Sequence, residues 1–251
     1  MSDEREQFRK RIRELSERSY RNSQYLFTDF LTEAEQSEVL MLERELSSGI
    51  SLSGGHDGAE RQMVRFGSME ALGYEEEFPI AILKISPLLE KYSDTFTHRD
   101  YLGAVLNQGI DRKVTGDILT DGTYGYLFCE EKMADFIIEN LDKIKHTNVR
   151  CERVESLPDS LQVKIEEEQV QLSSERIDAL IAHIFRFSRT EATELFRSQK
   201  VFVNGRLMEN KAHMPKEGDI ISVRGYGRFR FDGCDRITRK GRMNIRIGRY
   251  R

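Results

Sequence analysis

Long apolar runs are missing from this 251-residue chain. No stretch of about 20 apolar residues is available to cross a bilayer as a helix, so no membrane partner is expected. The N-terminus, MSDEREQFRKRIRELSERSYRN, has no apolar core between its charges and is not expected to act as a secretory signal. Cysteine is scarce. Cys129, Cys151 and Cys234 are odd in number, far apart and without a CxxC pair, which excludes a disulfide framework and fits reduced thiols in a cytoplasmic protein. The five histidines are scattered, with no HExxH or paired-ligand spacing, so no metal or other cofactor is expected. The glycine-rich stretch ISLSGGHDGAERQ lacks GxxxxGK(S/T) and a helix-opening lysine; it reads as a flexible loop and not as a phosphate cradle, and no small-molecule substrate is expected.

What the chain has in quantity is charge, unevenly placed. Charged residues make up 33% and apolar residues 38%, enough for two or three small globular domains. The net charge of −4 hides a split: from Ser174 to Arg251 there are 18 Lys and Arg against 9 Asp and Glu, net +9, which leaves −13 for the first 173 residues. A polyanion is attracted to one end of such a chain and repelled by most of the other, which points to a nucleic-acid-binding C-terminal third.

The patterning predicts an α+β protein. Residues 1–73 read as a helical N-terminal segment, with Thr32 and Glu35 forming a capping box ahead of Val39, Leu42 and Leu46 and with Gly49 as a stop. Residues 74–156 read as βαββαβ, a ferredoxin-like or RRM-like layer. Its parts are the strand PIAILKISP, a helix capped by Thr97 and Asp100, two strands around Asp121-Gly122, an amphipathic helix with Met133, Phe136, Ile137, Leu141 and Ile144 on one face, and the strand VRCERVE. Tyr124, Tyr126 and Phe128 alternate on one strand; sheet packing is favoured over base stacking, because no RNP-type string accompanies them. Residues 157–173 read as an acidic connector with a strand or two.

From 174 to 251 the chain predicts two short helices on a small sheet. Ile177, Leu180, Ile181 and Ile184 form one apolar stripe; Ser188 caps a second helix with Glu191 as its partner, and Ala192, Leu195 and Phe196 face inward. A hairpin turns at Asn204-Gly205, and Gly218-Asp219 makes a further turn. Arg176, Arg186, Ser188, Arg189, Arg197, Lys200, Asn204, Gly205, Arg206 and Lys211 cluster at helix ends and hairpin edges. Ser188 and Arg189 place N–H groups and a guanidinium at one helix N-terminus, an arrangement suited to phosphate. The last 28 residues carry ten Arg and Lys against Asp232 and Asp235. They read as a basic tail in which Arg228, Arg230, Arg236, Arg239, Lys240 and Arg242 alternate with Tyr226, Phe229, Phe231 and Tyr250, a mixture that pairs with phosphate and stacks on bases. Together these are the candidate RNA-binding residues. Arg112-Lys113 is a candidate second contact in the acidic part.

Arg176-Ile177-Asp178, Ser188-Arg189-Thr190-Glu191-Ala192, Val201-Phe202-Val203-Asn204-Gly205 and Gly218-Asp219-Ile220-Ile221 closely resemble the signature of the S-four RNA-binding domain, the alpha-L motif. One departure is that the motif commonly has an apolar residue and Gly before V-x-V-N-G, where this chain has Ser198-Gln199-Lys200. The whole order, with HRDYLGAVLNQGIDRKVTGDIL in the middle, resembles the YlmH family, which joins a helical N-terminal part, an RRM-like domain and this C-terminal domain. That resemblance implies association with ribosomes, with ribosomal RNA, tRNA and the large subunit as partners, a role in rescuing large subunits stalled with peptidyl-tRNA, and a link to cell division.

Enzymes that carry the same small domain have signatures this chain lacks: no separate Arg-Leu-Asp catalytic loop, no HIGH or KMSKS string, no glycine-rich cofactor loop after a strand. A non-catalytic RNA binder is therefore expected. The competing readings are a divergent RNA-modifying enzyme using Asp117 or Asp100, and a division-related scaffold that docks proteins on its acidic N-terminal helices.

Overall fold

The computed structural model of the protein describes residues 2–89, 95–237 and 242–250. The chain divides once, into Met1–Gln162 and Val163–Arg251, and helix and strand are mixed in both.

The first unit opens with α1 (Ser2–Asn22) and α2 (Glu33–Leu42). The Thr32–Glu35 capping box is formed: the Thr32 N–H donates to Glu35 Oε2 at 2.8 Å and the Glu35 N–H to Thr32 Oγ1 at 3.4 Å. Residues 1–73, expected to be a helical segment with a loop after Gly49, also hold a small sheet. β1 (Leu26–Phe27), β2 (Ile50–Ser53) and β3 (Met63–Phe66) make an antiparallel sheet in the order β1-β3-β2. The stretch read as a flexible loop therefore begins as a strand. Its period-two alternation, Ile-Ser-Leu-Ser, is masked by the glycines that follow. Those glycines serve the reversal: a Cβ on Gly54 would lie 2.3 Å from that of Ala59. Four-residue α3 (Met69–Leu72) closes the segment.

The chain continues through β4 (Ile80–Pro87), α4 (His98–Leu106), β5 (Thr115–Thr120), β6 (Gly125–Glu130), α5 (Glu131–Asn140), β7 (Lys143–Ile144) and β8 (Thr147–Val154). The sheet order is β5-β6-β4-β8-β7 with antiparallel neighbours, the strand order of a split βαβ layer. Leu83, Ile85, Leu127 and Cys129 point to the helices and pack with Tyr101, Val105, Ala134 and Ile137. Burial moves the Cys129 and Cys151 thiols up to about 12, so both are inert at neutral pH. Phe136 does not join this core; it is 42% exposed. Alternate residues of β4 and β6 point the other way, and there Ile80, Ile82 and Phe128 pack with Phe30, Met63 and Phe78 from upstream. RRM sheets present this face to RNA. Here its Phe128 end is covered by the chain's own N-terminal part.

In the second unit β9 (Ile165–Leu172), α6 (Ile177–Ile184), α7 (Arg189–Arg197), β10 (Val201–Val203), β11 (Arg206–Leu207), β12 (Ile220–Val223), β13 (Gly227–Ile237) and β14 (Met243–Tyr250) build a sheet in the order β11-β10-β12-β13-β14-β9. The predicted helix stripes are buried: Ile177, Leu180, Ile181 and Ile184 on α6 and Ala192, Leu195 and Phe196 on α7 pack with Val201, Ile221, Phe229, Ile245 and Ile247. Each fully buried Leu or Ile contributes roughly 1.5–3 kcal/mol. Two expectations are corrected here. The basic segment after Val223 is no tail but two long strands, held because Phe229, Phe231, Ile245 and Ile247 face the core. The unit also starts at Val163 instead of Ser174, because β9 pairs along its whole length with β14, from Ile165 opposite Tyr250 to Leu172 opposite Met243.

Candidate nucleic-acid interface

The motif residues of the second unit divide into those that shape turns and those that face solvent. Arg176 donates through Nε and Nη2 to both carboxylate oxygens of Asp178, at 3.1 and 2.7 Å, and Asp178 Oδ1 also accepts the Ala179 N–H. The Arg-Ile-Asp string is thus an internal ion pair at the start of α6. Asn204 (φ +50°) and Gly205 (φ +73°) make the β10–β11 turn in the left-handed region. Asn204 Nδ2 donates to Asp219 Oδ1 at 2.8 Å, Asn204 Oδ1 accepts the Ile220 N–H at 2.9 Å, and Asp219 Oδ2 accepts the Lys216 N–H. Asn-Gly and Gly-Asp are therefore two halves of one clasp between hairpin and loop. That places Asn204, Gly205 and the Arg176 guanidinium in structural work.

Both helices of this unit end in a left-handed turn closed by a residue with a side chain. After α6 the Phe187 N–H donates to the Ala182 carbonyl at 2.8 Å and the Arg186 N–H to that of His183, with Arg186 at φ +58°. After α7 the Lys200 N–H donates to Leu195 and the Gln199 N–H to Phe196, with Gln199 at φ +53°. This is the Schellman geometry that favours glycine. Gln199 keeps the turn that the motif makes with Gly.

Three turns then meet: the α6–α7 turn, the α7–β10 turn and the β12–β13 turn. Arg186 and Arg189 are exposed, and neither has a carboxylate partner among the described residues. Phe187 lies between them, edge to face with Tyr226 at 4.8 Å and 86°. Lys200 Nζ stands 6.0 Å over the Tyr226 ring, and its carbonyl accepts the N–H of the exposed Arg224 at 2.8 Å. Ser188 caps α7 as predicted, its Oγ accepting the Glu191 N–H at 3.2 Å. The Glu191 carboxylate reaches back to the Ser188 N–H at 2.8 Å and is held below the usual carboxylate range by that bond. An anion at this helix end therefore meets the protein's own carboxylate, which leaves the guanidiniums, and not the N–H groups, as the part of this turn suited to phosphate.

The structure thus brings together Arg186, Ser188, Arg189 and Lys200. The others lie apart. Arg197 is paired with Glu194 at 3.5 Å and, with Lys211, lines a groove that also holds Glu209. Arg206 is exposed on β11. Arg228 lies 5.9 Å over the Tyr250 ring. Arg230 is held protonated by Asp232, on 2.5 and 3.2 Å bonds, in a cavity lined also by Glu167, Glu168 and Glu217; acids surround this guanidinium, so it is a poor phosphate ligand. Arg242 is exposed just ahead of β14. Arg239 and Lys240 lie outside the described residues, as does the side chain of Arg236. Sequence reasoning named Tyr226 only as one of four aromatics alternating with arginine and did not single out Phe187. Nothing local separates Tyr226 from Phe229 and Phe231, which are buried.

In the first unit the suspected acids are occupied. Asp100 accepts the Thr97 N–H and hydroxyl at 2.8 Å and pairs with Lys145 at 2.9 Å; Lys145 and these capping bonds hold it at about 2. Asp117 accepts the Glu60 N–H at 2.6 Å and the Arg61 N–H at 3.2 Å, with His56 Nε2 at 3.3 Å. Burial opposes its ionisation, but those hydrogen bonds win and keep it below the usual range. Arg61 and Arg112 point at carbonyls: Arg61 at Thr115 and Phe30, Arg112 at Thr115 and Gly116. Burial, with Arg61 nearby, lowers Arg112 to about 10. Arg112 is thus a strut and not the second RNA contact expected of it, and Lys113 is paired with Asp111 at 3.2 Å.

Residues 74–157 match the family described as "Putative RNA-binding domain in YlmH". The chain is 29% identical over 231 residues to the Bacillus subtilis (strain 168) protein named ribosome-associated protein quality control protein P2, covering 89% of this chain and 87% of that one. The solved structure of the cell division protein ylmH from Streptococcus pneumoniae superposes with a TM-score of 0.50 at 23% identity, over 62% of this chain and 93% of that one, and shares the fold. None of these names is that of an enzyme. A matched middle domain, a relative aligned over most of both chains and a shared fold together make the chain similar to YlmH proteins along most of its length.

Proposed function

We propose that this chain is a non-catalytic, cytoplasmic RNA-binding protein that joins the large ribosomal subunit while it still holds peptidyl-tRNA, gripping ribosomal RNA and tRNA through the α6–α7 turn of an alpha-L domain. The observation that carries this is the pair of exposed guanidiniums, Arg186 and Arg189, with no carboxylate partner among the described residues and with Lys200 and an exposed tyrosine beside them. Guanidinium forks on a rigid turn suit backbone phosphates, which position a protein on RNA without reading its sequence. The name of the Bacillus relative supports the ribosome as the setting. On this reading the RRM-like layer is a spacer or second contact, and the protein acts as a wedge, with no nucleotide or metal needed. The engagement of Asp100 and Asp117 in caps and loop anchoring favours this over the RNA-modifying alternative.

The test is sedimentation of the purified protein with isolated subunits. It should travel with large subunits, more so when they carry peptidyl-tRNA, and raised salt should release it. Equal travel with small subunits, or no enrichment on the tRNA-loaded form, would leave only a general RNA binder.

A further inference from the structure

We infer that Tyr226 is a stacking platform for one unpaired base of a folded RNA, set beside the phosphate contacts; the inference rests on the RNA-binding reading above. Four aromatics alternate with arginine in this stretch, and the fold sorts them. Phe229 and Phe231 are 0% and 3% exposed and Tyr250 is half-buried under Arg228, whereas Tyr226 is 51% exposed at the tip of the β12–β13 turn. The tip is shaped to present it. Gly225 (φ +83°) and Gly227 (φ +122°) take up the left-handed backbone on either side, and the Tyr226 N–H closes the turn on the Val223 carbonyl at 2.9 Å. Phe187 then holds the ring edge to face, so little rotamer freedom remains to be lost on binding.

Exposed tyrosines elsewhere have the wrong surroundings. Tyr74 is followed by Glu75, Glu76 and Glu77, and Tyr20 lies on α1, where Arg21 is paired with Glu17. Beside Tyr226 stand Lys200, 6.0 Å from the ring, and Phe187, whose chain neighbours include the exposed Arg186 and Arg189. A half-exposed ring next to these cations suits one nucleotide step, with the base on the ring and the flanking phosphates on the Arg186 and Arg189 guanidiniums. A continuous duplex offers the phosphates but keeps its bases stacked inward, so this site distinguishes RNA with an unpaired base from RNA without one.

The test uses the full chain and two probes: an oligoadenylate of about 12 nucleotides, within the usual span of single-strand sites, and a blunt RNA duplex with the same number of phosphates. Tyr226→Leu keeps an apolar contact for Phe187 but removes the aromatic face. It should weaken oligoadenylate binding roughly ten-fold, the scale of one base–aromatic stack, and change duplex binding less than two-fold at an unaltered melting temperature. Tyr226→Phe should bind both probes like the parent, and tyrosine fluorescence of the parent should be quenched by oligoadenylate. Equal losses on both probes, or none on either, would overturn the stacking role. The double variant Arg186→Glu/Arg189→Glu separates this from the broader reading: it should weaken both probes, and unchanged binding to both would overturn RNA binding at this turn itself.

Discussion

The two units of this protein differ in the balance of charge against which their arginines are set. Met1–Gln162 holds 20 Lys and Arg against 31 Asp and Glu, and Val163–Arg251 holds 19 against 12. The numbers of cations are nearly equal; their partners differ. In the first unit Arg5 and Arg9 are paired with Glu38, Arg153 with Glu131 and Asp135, and Arg61 and Arg112 are buried against carbonyls. In the second unit the sheet arginines Arg230 and Arg246 are likewise engaged, with Asp232 and Asp235, while Arg186 and Arg189 on the α6–α7 turn have no carboxylate partner among the described residues. Net charge attracts a polyanion from a distance, but binding it requires cations that are not already neutralised.

The comparison can be broken most severely in the first unit. Asp117→Ala leaves His56 and the Glu60 and Arg61 N–H groups without their acceptor and removes a negative charge near the buried Arg61 and Arg112 guanidiniums, and should destabilise that unit by about 3 kcal/mol. Denaturant unfolding should show the loss, while the fraction that remains folded should bind RNA as before. A variant of unchanged stability would mean that the buried cluster is not the anchor of the 54–62 loop.

Charge reversal on the turn comes next. Arg186→Glu/Arg189→Glu should lower RNA affinity by on the order of ten- to a hundred-fold and flatten the log–log salt dependence by roughly 0.7 for each single-strand phosphate that is no longer neutralised. Arg153→Glu, in the paired set, should move neither quantity. Filter binding across a salt series measures both. Substitution is the right tool here, because truncation from Arg236 would remove β14, an inner strand that carries Ile245 and Ile247.

A smaller change sharpens the contrast within the second unit. Gln199→Gly relieves a left-handed residue and should stabilise the fold by about 0.5 kcal/mol, the strain removed less the extra freedom glycine gains in the unfolded chain. Arg186→Gly should stabilise to a similar degree but weaken RNA binding. Paired melts and titrations separate the two, and equal affinities would remove Arg186 from the interface.

The smallest effect is one of pH. Asp100 is held at about 2 when folded, against 3.8 for the free side chain. Its contribution is complete above pH 4 and is lost as pH falls towards 2, because the unfolded chain takes up the proton first. Melts over that window should fall more steeply for the parent than for Asp100→Asn, and parallel curves would show that Lys145 and the cap contribute nothing measurable.

Much of this was legible in the residues. The capping boxes at Thr32, Thr97 and Ser188, the apolar stripes of α6 and α7 and the Asn204-Gly205 turn are local patterns of period and cap, and all formed as read. What was not legible depended on distant partners. β2 was hidden by the glycines that follow it, and β14 read as part of a basic tail because its apolar residues, Ile245 and Ile247, are interleaved with Arg246 and Arg249, whose neutralising acids, Glu168, Glu217 and Asp235, lie on other strands and loops.

By itself the sequence determined the resemblance to YlmH proteins, the uneven charge, the helices and turns of the C-terminal module and the absence of an apolar span. Each of these is written in residue type and short-range spacing, where caps, periodicity and net charge act. Tertiary structure alone decided which cations stay available and which aromatic stays open. A guanidinium is neutralised by whatever carboxylate the fold brings within a few ångströms, and a ring is covered by whatever strand packs on it. Such partners can be distant in the chain, as Glu217 and Asp235 are from Arg246, and Arg186, Arg189 and Tyr226 stand out only once the three turns have met.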